Sequence, residues 1–432
     1  MNGDIFKTKE EVLFMGKINH TREPFKPGRY RAFFQLLIIT FAVFSESVGI
    51  GMSAIVFPIT MQSSGLDVAI IGIILSFDAF AALLVSLLFP RILRYIGIKG
   101  AVFIAGGLSV LLLLLLSVSS SLLIWAAGVF LYGLGSFMFV MLLQTWLNNI
   151  DIQERKGLVL ALFNTAMSIG LALGPLFINF IKSTDAASFA TVLDIFAFIG
   201  FPITGDAAVL GTRLIFYMAA LFSAIAFLVF LTGFAIMPSI KMSSGKGMLS
   251  LILNTKGPMF AIMMAAVSVY GVTAFIAIYG SQNGLDLDES TVLLSSFLIG
   301  SLLLETPFTW LSDYFDRRFL IVLMAFACLI CAVYLPIAIT FNAVALVLLF
   351  LWGGMTASIY STSLALIADR YSADEMIIAN SGYFVMESLG GVGGILMIGF
   401  AMQLIGSDGL PYIIMLASIL FFSFALTRYP VR

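Results

Sequence analysis

L-E-T-P-F-T-W-L-S-D-Y-F-D-R-R, residues Leu304 to Arg318, closes one long apolar run and precedes another that begins at Phe319. Asp313, Asp316, Arg317 and Arg318 are too polar for hydrocarbon, while the runs on either side are long and apolar enough to cross it. The stretch therefore reads as a tight hairpin between two membrane helices, with Glu305 held inside the first.

Working outward, the whole chain has the same character. Of its 432 residues 61% are apolar and only 10% charged, with a mean hydropathy of +1.10, where a soluble domain carries about a quarter charged residues. A bilayer core of about 30 Å takes roughly 20 apolar residues as a helix, and unbroken runs exclude the alternating pattern of barrel strands. The fold class is all-α and polytopic. The first run, from about Phe33 to Thr60, is too long for a cleaved leader and is expected to be retained. Cys328 and Cys331 form a C-x-x-C inside an apolar run and read as small core residues. The single histidine, His20, lies in the polar N-terminal tail, so no His-based metal site or triad can form within the membrane. No phosphate-binding G-x-x-x-x-G-K-[ST] occurs, which argues against an ATP-driven machine. Asp286, Asp288 and Glu289 are too few oxygen ligands for calcium and read as a solvated outer turn. No metal, cofactor, nucleic acid or enzymatic role is expected.

Apolar runs between charged breaks give twelve spans, near 33–60, 69–90, 100–118, 122–147, 157–181 and 213–237, then 259–281, 291–312, 319–340, 343–368, 377–403 and 412–427. Cytoplasmic loops retain Lys and Arg. Counting from the tail through the even-numbered turns to the C-terminus gives twenty, against Lys182 and Arg213 on the other side, so both termini are expected in the cytoplasm. The halves repeat at a spacing of 220 residues: F-L-Y-G at Phe130–Gly133 returns as F-L-W-G at Phe350–Gly353, and the G-x-x-x-G of Gly170 and Gly174 returns at Gly390 and Gly394. The expected plan is a tail (1–32), a six-helix bundle (33–237), a Ser-, Gly- and Lys-bearing linker (238–258) and a second six-helix bundle (259–432). The outer segment 182–212 holds an apolar stretch too short to span, read as an interfacial helix or a flap.

Glu46, Asp78, Glu305 and Glu387 fall within spans, where a charge costs several kcal/mol unless it faces a partner or water. No Lys or Arg lies well inside any span, so these acids need hydrogen-bond donors or a bound proton, which is what proton coupling requires. Glu46 leads a small, polar stripe with Gly49 and Ser53; Glu387 shares a helix face with Asn380, Tyr383, Gly391 and Gly394; Asp78 shares one with Ala82 and Ser86. Glu305, about 10 Å of helix rise from its hairpin, reads first as part of a charge network with that loop. Gln144, Asn164, Ser168, Tyr270, Thr273, Ser358, Tyr360 and Thr362 add possible cavity lining. Acids without cations favour neutral or cationic solutes over anions. The paired glycines are read as close helix contacts.

With these residues in place the chain resembles the major facilitator superfamily, whose loop between spans two and three, and its counterpart between eight and nine, carries a pattern close to G-x-x-x-D-R-x-G-R-R. Thr309–Arg318 matches it at Asp313, Arg317 and Arg318. The first-half loop, P-R-I-L-R-Y-I-G-I-K from Pro90 to Lys99, keeps Gly97 and Lys99 but has Arg94 where the acid belongs. Gly170, Gly174 and Pro175 resemble the G-x-x-x-G-P motif of antiporters, without its trailing glycine pair. The spans around Asn380–Gly394 and Tyr270–Arg318 resemble a bacterial branch, the YcaD-like transporters. The resemblance implies two parallel six-helix repeats with a solute site near the midplane, and a cytoplasmic latch at Asp313, Arg317 and Arg318, with Glu305 beside it. The second half is expected to hold the better-formed latch. The functional expectation is a monomeric secondary active transporter in the lipid bilayer of a bacterial inner membrane, moving a small neutral or cationic organic solute by alternating access with coupling to protons; the alternative is a non-transporting sensor or assembly subunit on the same fold.

Overall fold

The structure is a computed structural model, and it describes residues 27–150, 156–183, 190–201, 207–237, 248–312, 314–369 and 373–428. Among these residues there are helices and turns and no strand. The long helices of the first half are α1 (Pro27–Ser63), α2 and α3 (arms 68–96 and 98–118 of Val68–Val118), α4 (Leu122–Asn148), α5 (Lys156–Ser183) and, after the short α6 (Ala190–Phe198), α7 (Ala207–Thr232). A short α8 (Met248–Asn254) leads to the second half: α9 (Lys256–Gln282), α10 (Leu287–Leu311), α11 (Arg317–Ala338), α12 (Asn342–Ala368), α13 (Ala373–Ile405) and α14 (Gly409–Arg428). The twelve long helices correspond to the twelve expected spans. Of the expected linker, 248–254 is helical and α9 already begins at Lys256.

The first-half hairpin departs from expectation. Val68–Val118 is helical over 51 residues and broken only at Gly97, with φ 66° and ψ 170°. That length is about 77 Å at 1.5 Å per residue, more than twice the hydrocarbon thickness. The arms run side by side: Gly133 of α4 packs on Asp78 and Ala81 of α2, while Gly135 packs on Ala105 and Leu108 of α3. Pro90–Ile96 is therefore helix and not loop, and one glycine in the left-handed region makes the reversal. In the second half Asp316 stands near the matching position and caps α11, accepting from the Arg318 amide at 2.7 Å and the Phe319 amide at 3.4 Å. A carboxylate cap ends the chain's entry cleanly, whereas a glycine leaves helix on both sides.

The outer turns repeat more faithfully. Gly65-Leu66-Asp67 and Gly284-Leu285-Asp286 both follow a long helix, with glycine φ of 80° and 84°. Each leucine amide reaches back to close the helix end, Leu66 to the Met61 carbonyl at 3.2 Å and Leu285 to the Gly280 carbonyl at 3.0 Å, the Schellman arrangement. Asp286 then opens α10 with a capping box to Glu289, so the acidic outer turn is a helix start.

The repeated motifs are helix crossings. Gly170 and Gly174 pack α5 on α1 at Ser47, Val48 and Gly51; Gly390 and Gly394 pack α13 on α9 at Met263, Ala266 and Val267. Gly133 seats α4 on α2 and Gly353 seats α12 on α10, at Phe297 and Ser301. Cys328 and Cys331 are buried in the second-half core as free thiols.

Candidate functional site

A central cavity of about 320 Å³ lies between the halves, walled by α1, α2, α4 and α5 on one side and α9, α10 and α13 on the other. The 220-residue register pairs much of its lining: Ile50 with Tyr270, Ser53 with Thr273, Ala54 with Ala274, Asp78 with Leu298, and Met167 with Glu387. The two acids thus come from opposite halves and from non-equivalent positions, each with an apolar counterpart in the register. No Lys, Arg or His is among the described lining residues.

Each acid is placed by its neighbours. Asp78 sits against Gly133, whose missing side chain leaves room for the carboxylate. Glu387 accepts a hydrogen bond from the Tyr360 hydroxyl at 2.5 Å, and the Tyr360 ring meets Tyr383 edge-on at 4.1 Å. Tyr270 packs on Gly391. On the first-half wall Ser53 donates to the Ile50 carbonyl at 2.8 Å, which leaves the Tyr132 hydroxyl to donate to Ser53 Oγ at 3.1 Å. Tyr132 in turn stands edge-on to Phe57 at 5.3 Å. The site is therefore an aromatic and aliphatic chamber with a carboxyl on each side and hydroxyls between.

The structure separates the sequence candidates. Asp78, Tyr270, Thr273 and Glu387 line the cavity; Tyr360 and Tyr383 stand directly behind Glu387. Glu46 does not line it. At 1% exposure it points into the first bundle, with Ser109 and Ser223 beside its carboxyl. Its Oε1 has no hydrogen-bond partner among the described residues. Ser358 is fully buried and donates to the Gly354 carbonyl at 2.6 Å, a local bond within its own helix. Asn164 is exposed and Gln144 half-buried, both away from the cavity wall. The side chain of Asn380 and all of Asp313 lie outside the described residues. Glu305 accepts from Ser361 of α12. Arg317 forms an ion pair with Asp369 and donates to the Ala365 carbonyl at 3.0 Å, tying the start of α11 to the end of α12 within one half. Tyr132, Ser361 and Asp369 are functional candidates the sequence reading missed, although Tyr132 lies inside the repeated F-L-Y-G.

The halves are joined at the end away from the termini. Gln62 and Ser281, 219 residues apart and so near-equivalent in the repeat, bond to each other across the interface at 3.2 Å. Asn179 of α5 donates to the Asp288 carbonyl at 3.1 Å and accepts from Thr291 of α10. The register turns that contact into the crossing of α2 and α13, where a side chain on Gly72 would stand 3.0 Å from the Cα of Gly399.

Two quasi-symmetric helical halves around a shared, largely apolar chamber with two carboxyls define a polytopic membrane protein built about a central cavity. Residues 258–432 match the Major Facilitator Superfamily model. A curated relative, the uncharacterized MFS-type transporter YfkF of Bacillus subtilis (strain 168), is 24% identical over 403 residues, covering 90% of this chain and 93% of its own. The nucleoside transporter NupG matches in structure with a TM-score of 0.71 at 12% identity, over 92% of this chain and 100% of its own. A bacterial homolog of the human lysosomal transporter Spinster, in an inward-facing and occupied conformation, matches with a TM-score of 0.66 at 15% identity, over 94% and 96%. These structures share the fold.

Proposed function

We propose that the protein is a secondary active transporter that moves a small neutral or cationic organic solute across a bacterial inner membrane by alternating access, coupled to protons. The observation that carries this reading is the cavity itself, with Asp78 and Glu387 on opposite walls and no cation in its described lining. A solute with a positive group relieves two desolvated acids, and an anion adds to them. Apolar and aromatic walls supply the remaining contact, with cation–π attraction from Tyr132, Tyr270 and Phe57.

The charge bias of the loops supports cytoplasmic termini. The contacts at Gln62, Gly72 and Asn179 then close the outer side, and this conformation is inward-facing. Glu387 is the coupling acid we favour over Glu46, because a proton on Glu387 and a solute in the cavity compete for one carboxyl, whereas Glu46 faces away. Arg317 and its partner Asp369 hold the inner ends of α11 and α12 as a unit during rocking.

Proteoliposomes with an imposed pH gradient test the reading. Gradient-driven flux is expected from the native protein and lost in Glu387→Gln. Unchanged, gradient-independent flux in both Glu387→Gln and Glu46→Gln sinks the coupling.

A further inference from the structure

Behind Glu387 a column of polar side chains runs through the second half toward the end that bears the termini. Tyr360 donates to Glu387 of α13, and the next residue, Ser361, donates to Glu305 of α10. Consecutive residues of α12 thus hold two carboxyls from two other helices. The Tyr383 ring packs on Tyr360 at 4.1 Å, and its own hydroxyl is buried without a partner among the described residues. Beyond Glu305, Thr309 and Ser312 follow at i+4 and i+7 on one face of α10. Both hydroxyls are again buried and unpartnered among the described residues. Ser312 adjoins the inner hairpin.

The first half supplies the control. At the positions 220 residues earlier stand Val85, Phe89, Ile92, Val140, Met141 and Phe163, with Met167 in place of Glu387. Every one is apolar, on a matching backbone. Helix packing therefore needs no polar column here, and leaving hydroxyls unpaired in a bundle core costs about 1–3 kcal/mol each. The column calls for a role other than packing.

We propose that Glu305 is the second carboxyl of a proton path that leads from Glu387 past Tyr360, Tyr383 and Ser361, and on by Thr309 and Ser312 to the inner surface. This rests on the proton-coupled reading of the cavity. The proton leaves the Glu387 carboxyl, each hydroxyl accepts one proton as it releases another, and the Glu305 carboxylate takes it up. No net bond or charge is left on the hydroxyls. Glu305 is then a relay residue, and not part of the loop network its position suggested. Tyr270 of α9 lies near both Glu387 and Asp78, and Tyr383 of α13 lies near both Glu387 and Glu305.

The test is pH-difference infrared spectroscopy of the purified protein in lipid, with the proton as the only ligand. Two carboxyl bands, assigned by their loss in Glu387→Gln and Glu305→Gln, are expected to titrate in coupled steps. Glu305→Gln removes one band and leaves the Glu387 band with a single, independent step. Ser361→Ala keeps both bands, displaces that of Glu305, and serves if Glu305→Gln fails to fold. A Glu387 titration unaltered by Glu305→Gln or Ser361→Ala overturns the relay while leaving proton coupling intact. Absence of any Glu387 titration overturns the coupling reading and the relay together.

Discussion

Asp78 and Glu387 decide what the cavity can hold. Asp78→Asn and Glu387→Gln are each expected to weaken binding of an organic cation by about 1.5–3 kcal/mol, roughly tenfold to a hundredfold, the scale of a charge-assisted hydrogen bond. Binding of a neutral solute should change far less. Calorimetric titration with a cation and its neutral isostere checks this, and equal losses for both would place the acids in a structural role. The Arg317–Asp369 pair is partly solvent-exposed, so Asp369→Ala should lower stability by less than about 1 kcal/mol, read by thermal unfolding in detergent. At this scale the sequence was half legible. All four intramembrane acids stood out by charge alone, and the face shared by Glu387 and Tyr383 pointed toward the cavity region. What helical spacing could not give was direction: Glu46 and Ser53 lie on one stripe of α1, yet Ser53 lines the cavity and Glu46 faces Ser223. Which neighbour a stripe meets depends on how three helices pack around it.

Helix contacts carry the conformational argument. Gly72 and Gly399 let α2 and α13 touch backbone to backbone, so a side chain on either pushes apart the outer closure without touching the cavity. Gly399→Leu is expected to shift the protein toward outward-open, seen as faster labelling of cysteines placed in the outer half of the cavity; unchanged labelling would remove these glycines from the gate. Gly174→Leu acts differently, because Gly174 meets Gly51 inside one bundle. Overpacking there should cost about 1–3 kcal/mol of stability, with no preference for either conformation. The element positions were legible from hydropathy, since hydrocarbon thickness fixes span length. The hairpin at Gly97 was less so: charge marked Arg91 and Arg94 as loop, but a helix can carry exposed arginines to its very end, and only the glycine's backbone freedom sets the turn. The repeated Gly-Leu-Asp of the outer turns was present in the sequence and would have added a further landmark to the register.

Across the whole molecule the repeat explains more than the motifs did. The 220-residue register predicted two matched bundles, and the structure has them, with Gln62 and Ser281 bonded near the axis between halves. It could not show the departures from symmetry on which the proposed function rests: Asp78 where the other half has Leu298, Glu387 where it has Met167, and a polar column in one bundle whose register equivalents in the other are apolar. Alternating access about the central cavity is the central claim, and the outer contact offers a direct test. Cysteines placed at Gln62 and Ser281 can be joined by a short, reducible thiol cross-linker, since native Cys328 and Cys331 are buried. The measurement is the internal pH of proteoliposomes on addition of a solute that raises the protein's melting temperature. Cross-linking should abolish solute-driven proton movement and reduction should restore it; proton movement that continues through the cross-linked protein would contradict the account.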